Sequence, residues 1–184
     1  MIKIWLVIIT FALSPFLIGI WVTTSVVNSL YHYKVFVATV YGESSGAKYK
    51  QQKAVASTII NRYKDKTNFN YKSISSAIYD AYDAAKFNTD LFRGANKYLH
   101  TNYRKYKDKE LDKLYHKLWV VYYLGFTNTK ATFFYSPILQ KKFHKKYPKK
   151  YKAIPEWVHS KYLKKDQKVS NNQFHFYKIT RRHT

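Results

Sequence analysis

Only three of the ten acidic residues are Glu: Glu43, Glu110 and Glu156. Glu43 is the sole carboxylate in the first 64 residues and lies between Val40-Tyr41-Gly42 and Ser44-Ser45-Gly46. Apolar, aromatic and small neighbours favour the protonated form of a carboxyl group, which a general acid near neutral pH requires. A plainer role also fits, because a carboxylate at a helix end accepts backbone N–H bonds. Spacing alone leaves both open.

Other chemistries are poorly supplied. With no Cys there is no disulfide, thiolate nucleophile or thiolate-bound zinc. His32, His100, His116, His144, His159, His175 and His183 are scattered with no two at i,i+4, so no metal site is expected. A phosphate-cradling Gly loop is also lacking, and no cofactor is predicted.

The elements that must position Glu43 follow from periodicity. Lys34 to Gly42 is apolar and rich in β-branched residues, which fits a short helix or a strand. Gly42 and Gly46 mark a break, and Tyr49 to Lys66 then reads as an amphipathic helix with Ala54, Val55, Ile59, Ile60 and Tyr63 on one stripe. Further helices are expected at Ser73 to Tyr82, Asp90 to Tyr103 and Lys109 to Phe126. The last carries Leu111, Leu114, Leu118, Trp119 and Tyr122, with Gly125 at its stop. Ala131 to Ser136 and Gln173 to Lys178 are short, aromatic and strand-like. The basic stretch Lys141 to Lys165, with Pro148 and Pro155, reads as loop or irregular helix. The class is mainly α with a few short strands (α+β).

The run Val37 to Gly46, followed by Gln52 to Arg62, resembles the opening of the SleB-type cell wall hydrolase family. There a Tyr-Gly-Glu turn precedes a helix with an Ala-Val-Ala run that ends in Asn-Arg; here these are Tyr41-Gly42-Glu43, Ala54-Val55-Ala56 and Asn61-Arg62. Lys86-Phe87 falls where the family has Gln-Phe. Ala131 to Tyr135, Pro155-Glu156-Trp157 and His175-Phe176-Tyr177 resemble its later blocks.

The resemblance implies a lysozyme-like domain that cleaves peptidoglycan between N-acetylmuramic acid and N-acetylglucosamine, with Glu43 as catalytic acid/base. Glu43-Ser44 is also similar to the Glu-Ser pair of lytic transglycosylases, which work with a single carboxylic acid. Ordinary glycosidases use two carboxyl groups about 5 to 9.5 Å apart. Nothing in the sequence sets a second one opposite Glu43, although Asp65, Asp80, Asp83 and Asp90 follow. Substrate contacts are expected at Ser44, Phe87, Phe134, Tyr135, His175 and Tyr177, because aromatic faces pack on sugar rings while polar groups fix the hydroxyls. Phe and Tyr in strand-like runs also serve cores, and a lone His is commonly structural. Asn61 is expected to brace the Glu43 loop.

The 184 residues carry a net charge of +23, and from Ile4 to Leu30 no residue is charged. That run is long enough to cross a bilayer, which takes roughly 20 residues. A cleaved secretory signal is the competing reading. The long apolar core and the poor cleavage sites around Ser25 to Ser29 favour a retained anchor. The expected organisation is an anchor over residues 1–33 and one catalytic domain over residues 34–184.

That domain holds 32 basic and 10 acidic residues. Counted naively, the positive-inside rule would keep it in the cytoplasm, but large domains translocate largely regardless of charge. The expected location is outside the cytoplasm, in the periplasm or cell wall, and secreted if the anchor is cleaved. Expected partners are peptidoglycan, the membrane and anionic envelope polymers, without nucleic acid; a phage lysis or entry enzyme and a bacterial remodelling enzyme fit equally. Interleaved Lys and Tyr at 145–152 also suit a basic nucleic-acid binder or a non-catalytic envelope-binding protein.

Overall fold

The structure, a computed structural model, describes residues 29–81 and 108–180. The chain divides into two compact units, Met1–Lys34 and Val35–Thr184. Of the first, only residues 29–34 are described, and they are helical. The expected membrane span therefore lies almost wholly outside the described residues. Among the described residues no helix is long and apolar enough to cross a membrane.

The second unit opens inside a helix, α1, which is continuous over residues 29–44. Its β-branched run would also suit a strand. Burial decides for helix, because Val35, Phe36, Val37, Ala38, Thr39 and Val40 are all fully buried. A strand offers alternate residues to each side, whereas consecutive burial requires enclosure all round. The polar side chains inside α1 are satisfied locally: Thr39 Oγ1 donates to Val35 O at 2.8 Å and Ser44 Oγ to Val40 O at 2.6 Å.

Helix α2 spans Tyr49–Lys64 and is more central than one amphipathic stripe suggests. Every residue from Ala54 to Ile60 is buried, as are Gln51 and Gln52. Three of these are Ala54, Ala56 and Ser57, whose small side chains let neighbours approach closely. Around α2 pack α3 (Ile74–Ala81), α4 (Lys109–Tyr122) and the first strand, β1 (Phe133–Tyr135). Asp108 caps α4, accepting from the amides of Glu110 and Leu111 at 2.9 and 3.0 Å. Leu111, Leu114, Leu118 and Val121 are its buried stripe; Trp119, expected on that stripe, is half exposed. The turn after α4 passes through Gly125 at φ +66°.

The basic stretch, expected as loop or irregular helix, has helical pieces and also a strand. It contains α5 (Pro137–Lys146), a 3₁₀ turn (Glu156–His159) and β2 (Leu163–Lys165). Ser136 caps α5 with Pro137 in its first turn, a start signal independent of hydrophobic pattern. β2 is a short edge strand carrying Lys164 and Lys165, so alternation does not reveal it. With β3 (His175–Ile179) the strands form an antiparallel sheet of order β1-β3-β2. Phe133 pairs with Tyr177, Phe134 with Phe176 and Tyr135 with His175. The second unit is thus mainly helical with a small antiparallel sheet.

Candidate active site

Glu43 lies in the last turn of α1 and is half-buried. The turn that follows is clamped from a distant part of the chain. Glu110, near the start of α4, accepts from Gly46 N at 3.0 Å, Ser45 Oγ at 3.3 Å and Gln52 Nε2 at 2.6 Å. Gln52 Nε2 also reaches Ser44 O at 3.4 Å, and Ala47 N donates to Ser44 O at 3.0 Å. Gly46 itself takes φ +76°, a conformation that L side chains seldom adopt. Tyr41, two residues before Glu43, donates to Asp108 Oδ2 at 2.7 Å. Two successive acidic positions at the start of α4 therefore fix the end of α1.

The far end of α2 holds the sheet. Asn61 Nδ2 donates to Thr129 O at 2.9 Å and Ala131 O at 2.8 Å, bracing the approach to β1 rather than the Glu43 loop. Arg62 Nε donates to Thr132 O at 2.5 Å, and its guanidinium lies 4.8 Å from the Phe133 ring centre and 5.5 Å from that of Phe69. Gln52 and Asn61 are nine residues apart on one helix, about 13 Å of axial rise. One buried rod thus joins the Glu43 turn to β1.

Alternation divides the sheet's aromatics between two faces. Phe134 packs with Phe174 and Phe176, with ring centres 6.2 and 5.8 Å away. Phe176 is fully buried, so Phe134 belongs to the apolar side. Phe133, Tyr135, His175 and Tyr177 share the opposite face. Trp157, from the 3₁₀ turn, closes on it at 5.4 Å from Phe133, 5.8 Å from Tyr135 and 5.5 Å from Tyr177. Tyr135 and Trp157 remain partly accessible, which leaves ring surface for a ligand.

Polar tips on this face are linked. His175 Nδ1 and Tyr135 Oη share a hydrogen bond of 3.3 Å. Burial and the nearby Lys165 ammonium hold the His175 imidazole below its usual range. Burial, then the charge of Tyr135 and a hydrogen bond with it, pushes the Tyr177 phenol up to about 12. Both groups are therefore neutral near pH 7, and they present hydrogen-bonding rather than ionic chemistry.

Of the expected substrate contacts, the structure brings Tyr135, His175 and Tyr177 together. Phe134 points to the other side of the sheet. Ser44 is 2% exposed with its hydroxyl bonded within α1, and Phe87 lies outside the described residues. Glu110 and Gln52 were not expected in the site. Gln52 reaches Ser44 O across eight residues, whereas the link from Gly46 to Glu110 spans 64 positions, which no local pattern reveals.

Two clefts flank these features. One of ≈ 270 Å³ lies between the Gly46-Ala47 turn, Gln52, Glu110 and Lys113. The other, ≈ 550 Å³, is lined by Asn61, Asp65, Asn68, Lys130 and Thr132 among others. Glu43 is in neither lining. Among the described residues no group of His, Asp and Glu is arranged to hold a metal ion. The chain matches no protein-family model, no curated protein and no solved structure.

Proposed function

We propose that the chain cleaves peptidoglycan glycan strands between N-acetylmuramic acid and N-acetylglucosamine as a lytic transglycosylase with a lysozyme-like fold. The observation that carries this reading is the half-buried Glu43 on a helix end clamped by Glu110, with α2 running from that clamp to an accessible aromatic sheet face. General acid catalysis needs a carboxyl group of fixed position, and glycan binding needs ring faces bordered by neutral polar groups.

In this mechanism protonated Glu43 gives its proton to the glycosidic oxygen as the bond to the muramic acid C1 breaks. Its carboxylate then takes the proton from the same sugar's C6 hydroxyl, whose oxygen closes on C1. One carboxyl group serves both steps, and no water is consumed. Tyr135 and Trp157 would pack on sugar rings, while His175 and the Tyr135 phenol hold hydroxyls and the buried Tyr177 supports them from beneath. The uncharged run from Ile4 to Leu30 would hold the enzyme at a membrane, with its catalytic unit outside the cytoplasm.

Clearing of a peptidoglycan suspension by Lys34–Thr184 tests the reading. Wild type should clear it, and Glu43→Gln should be slower by at least about a hundredfold, the scale of a general-acid contribution. Absence of clearing by wild type would sink the reading.

A further inference from the structure

Helix α5 has no buried residue. It is held mainly by the segment that follows it: Gln140 Nε2 donates to Lys152 O at 2.7 Å, and His144 Nδ1 meets Tyr151 O at 2.6 Å. The Phe143 ring stacks on Tyr151 at 5.4 Å. Tyr147 O accepts from the amides of Lys150 and Tyr151, both at 3.0 Å, which closes the turn. Residues 137–154 therefore form a finger that braces itself.

The outer surface of this finger combines two properties. Lys141, Lys142, Lys145, Lys146, Lys149, Lys150 and Lys152 are all exposed, and residues 137–154 contain no acid. The first acidic residue beyond is Glu156, whose carboxylate lies 3.9 Å from Lys152 Nζ. Large apolar side chains are exposed among the lysines: Ile138 at 58%, Leu139 at 42%, Tyr147 at 46% and Ile154 at 46%. Water gains nothing from that second set, and a purely polyanionic partner would use only the first.

We propose that the finger docks on the surface of an anionic lipid bilayer. Lysine ammonium groups meet the headgroups, while Ile138, Leu139, Tyr147 and Ile154 enter the boundary between headgroup and acyl chain. The charge-free run from Ile4 to Leu30 argues independently for a bilayer as the neighbouring surface. The finger leaves β1 just after Tyr135 and returns just before Trp157, so docking would bring the aromatic face close to the membrane surface. The proposal does not depend on what that face binds.

The test exploits the absence of Cys, since a single introduced thiol takes all of a label. The full chain carrying Ile138→Cys with an environment-sensitive fluorophore is mixed with vesicles of phosphatidylcholine alone or with one third phosphatidylglycerol. A matched chain carries the label at exposed Asn70. The expected result is a blue shift and lipid-borne quenching at position 138 on the anionic vesicles, none on neutral vesicles, and none at position 70 on either.

Replacing Lys141, Lys142, Lys145 and Lys146 by Glu should reduce the position-138 blue shift on saturating anionic vesicles by at least ~10-fold, a readout that does not depend on how tightly the Ile4 to Leu30 run holds the chain to them. Unchanged circular dichroism would show that the fold is retained. A position-138 label that stays in water on anionic vesicles overturns the proposal, as does an undiminished signal in the charge-reversed variant. A label moved by duplex DNA but not by vesicles assigns the finger to nucleic acid and overturns it too.

Discussion

Gln52 Nε2 and Glu110 Oε1 lie 2.6 Å apart, joining α2 to α4 directly behind the turn that follows Glu43. A hydrogen bond to a charged group contributes about 1.5–3 kcal/mol, and the same carboxylate also holds Gly46 N–H. Glu110→Ala should lower unfolding free energy by about 1–3 kcal/mol in urea denaturation. Glu110→Gln keeps one acceptor oxygen and should recover part of that loss. If Glu110 positions Glu43, the Ala variant should also lower kcat more than it raises KM, with partial rescue by Gln.

Asn61 should be as sensitive, for a different reason. Its amide satisfies two backbone carbonyls, Thr129 O and Ala131 O, next to the fully buried Ala131. Asn61→Ala leaves both without that donor and should cost about 2 kcal/mol or more. The companion change Asn61→Asp replaces the donor by an acceptor and should cost at least as much. Equal denaturation midpoints for wild type and both variants would refute the bracing role.

Gly125 provides a backbone test. At φ +66° an L residue is strained, while a Cβ there would meet only the flexible, exposed end of the Lys64 side chain, which can move aside. Gly125→Ala should cost about 1–2 kcal/mol. Gly46→Ala, at φ +76° with nothing near the added Cβ, should cost a similar amount, because both sites owe it to the conformation; comparing the two melting curves would show this.

The helices were legible because their information is local. Leu111, Leu114 and Leu118 recur at helical spacing, and α1 ends at residue 44, inside the Gly42 to Gly46 break, although its apolar run fits a strand as well. What was hidden depends on distant partners or lacks a hydrophobic signature. The Glu110 clamp joins residues far apart in sequence, and α5 buries nothing that a periodic pattern could reveal. Phe134 and Tyr135 look alike as sequence, and only the register with Phe176 and His175 separates the apolar face from the accessible one.

His175 gives a pH dependence with a definite sign. Its imidazole is held below the usual range in the folded state, so the unfolded chain binds the proton more readily. This contribution to stability is complete above the ordinary His value of about 6.5 and is lost as pH falls through the lowered folded value. Urea midpoints should therefore drop as pH falls below about 6.5, and His175→Gln should reduce the drop. An identical drop in the variant would exclude His175 as a source.

The central claim is single-carboxylate cleavage of a glycan strand by Glu43. Mass analysis of the fragments released from purified peptidoglycan tests it most directly. Wild-type protein is predicted to release fragments ending in 1,6-anhydro-muramic acid, one water lighter than hydrolytic products, and Glu43→Gln to release at least about a hundredfold less per unit time. Fragments with reducing ends, equal release by the variant, or no release by wild type would contradict the account.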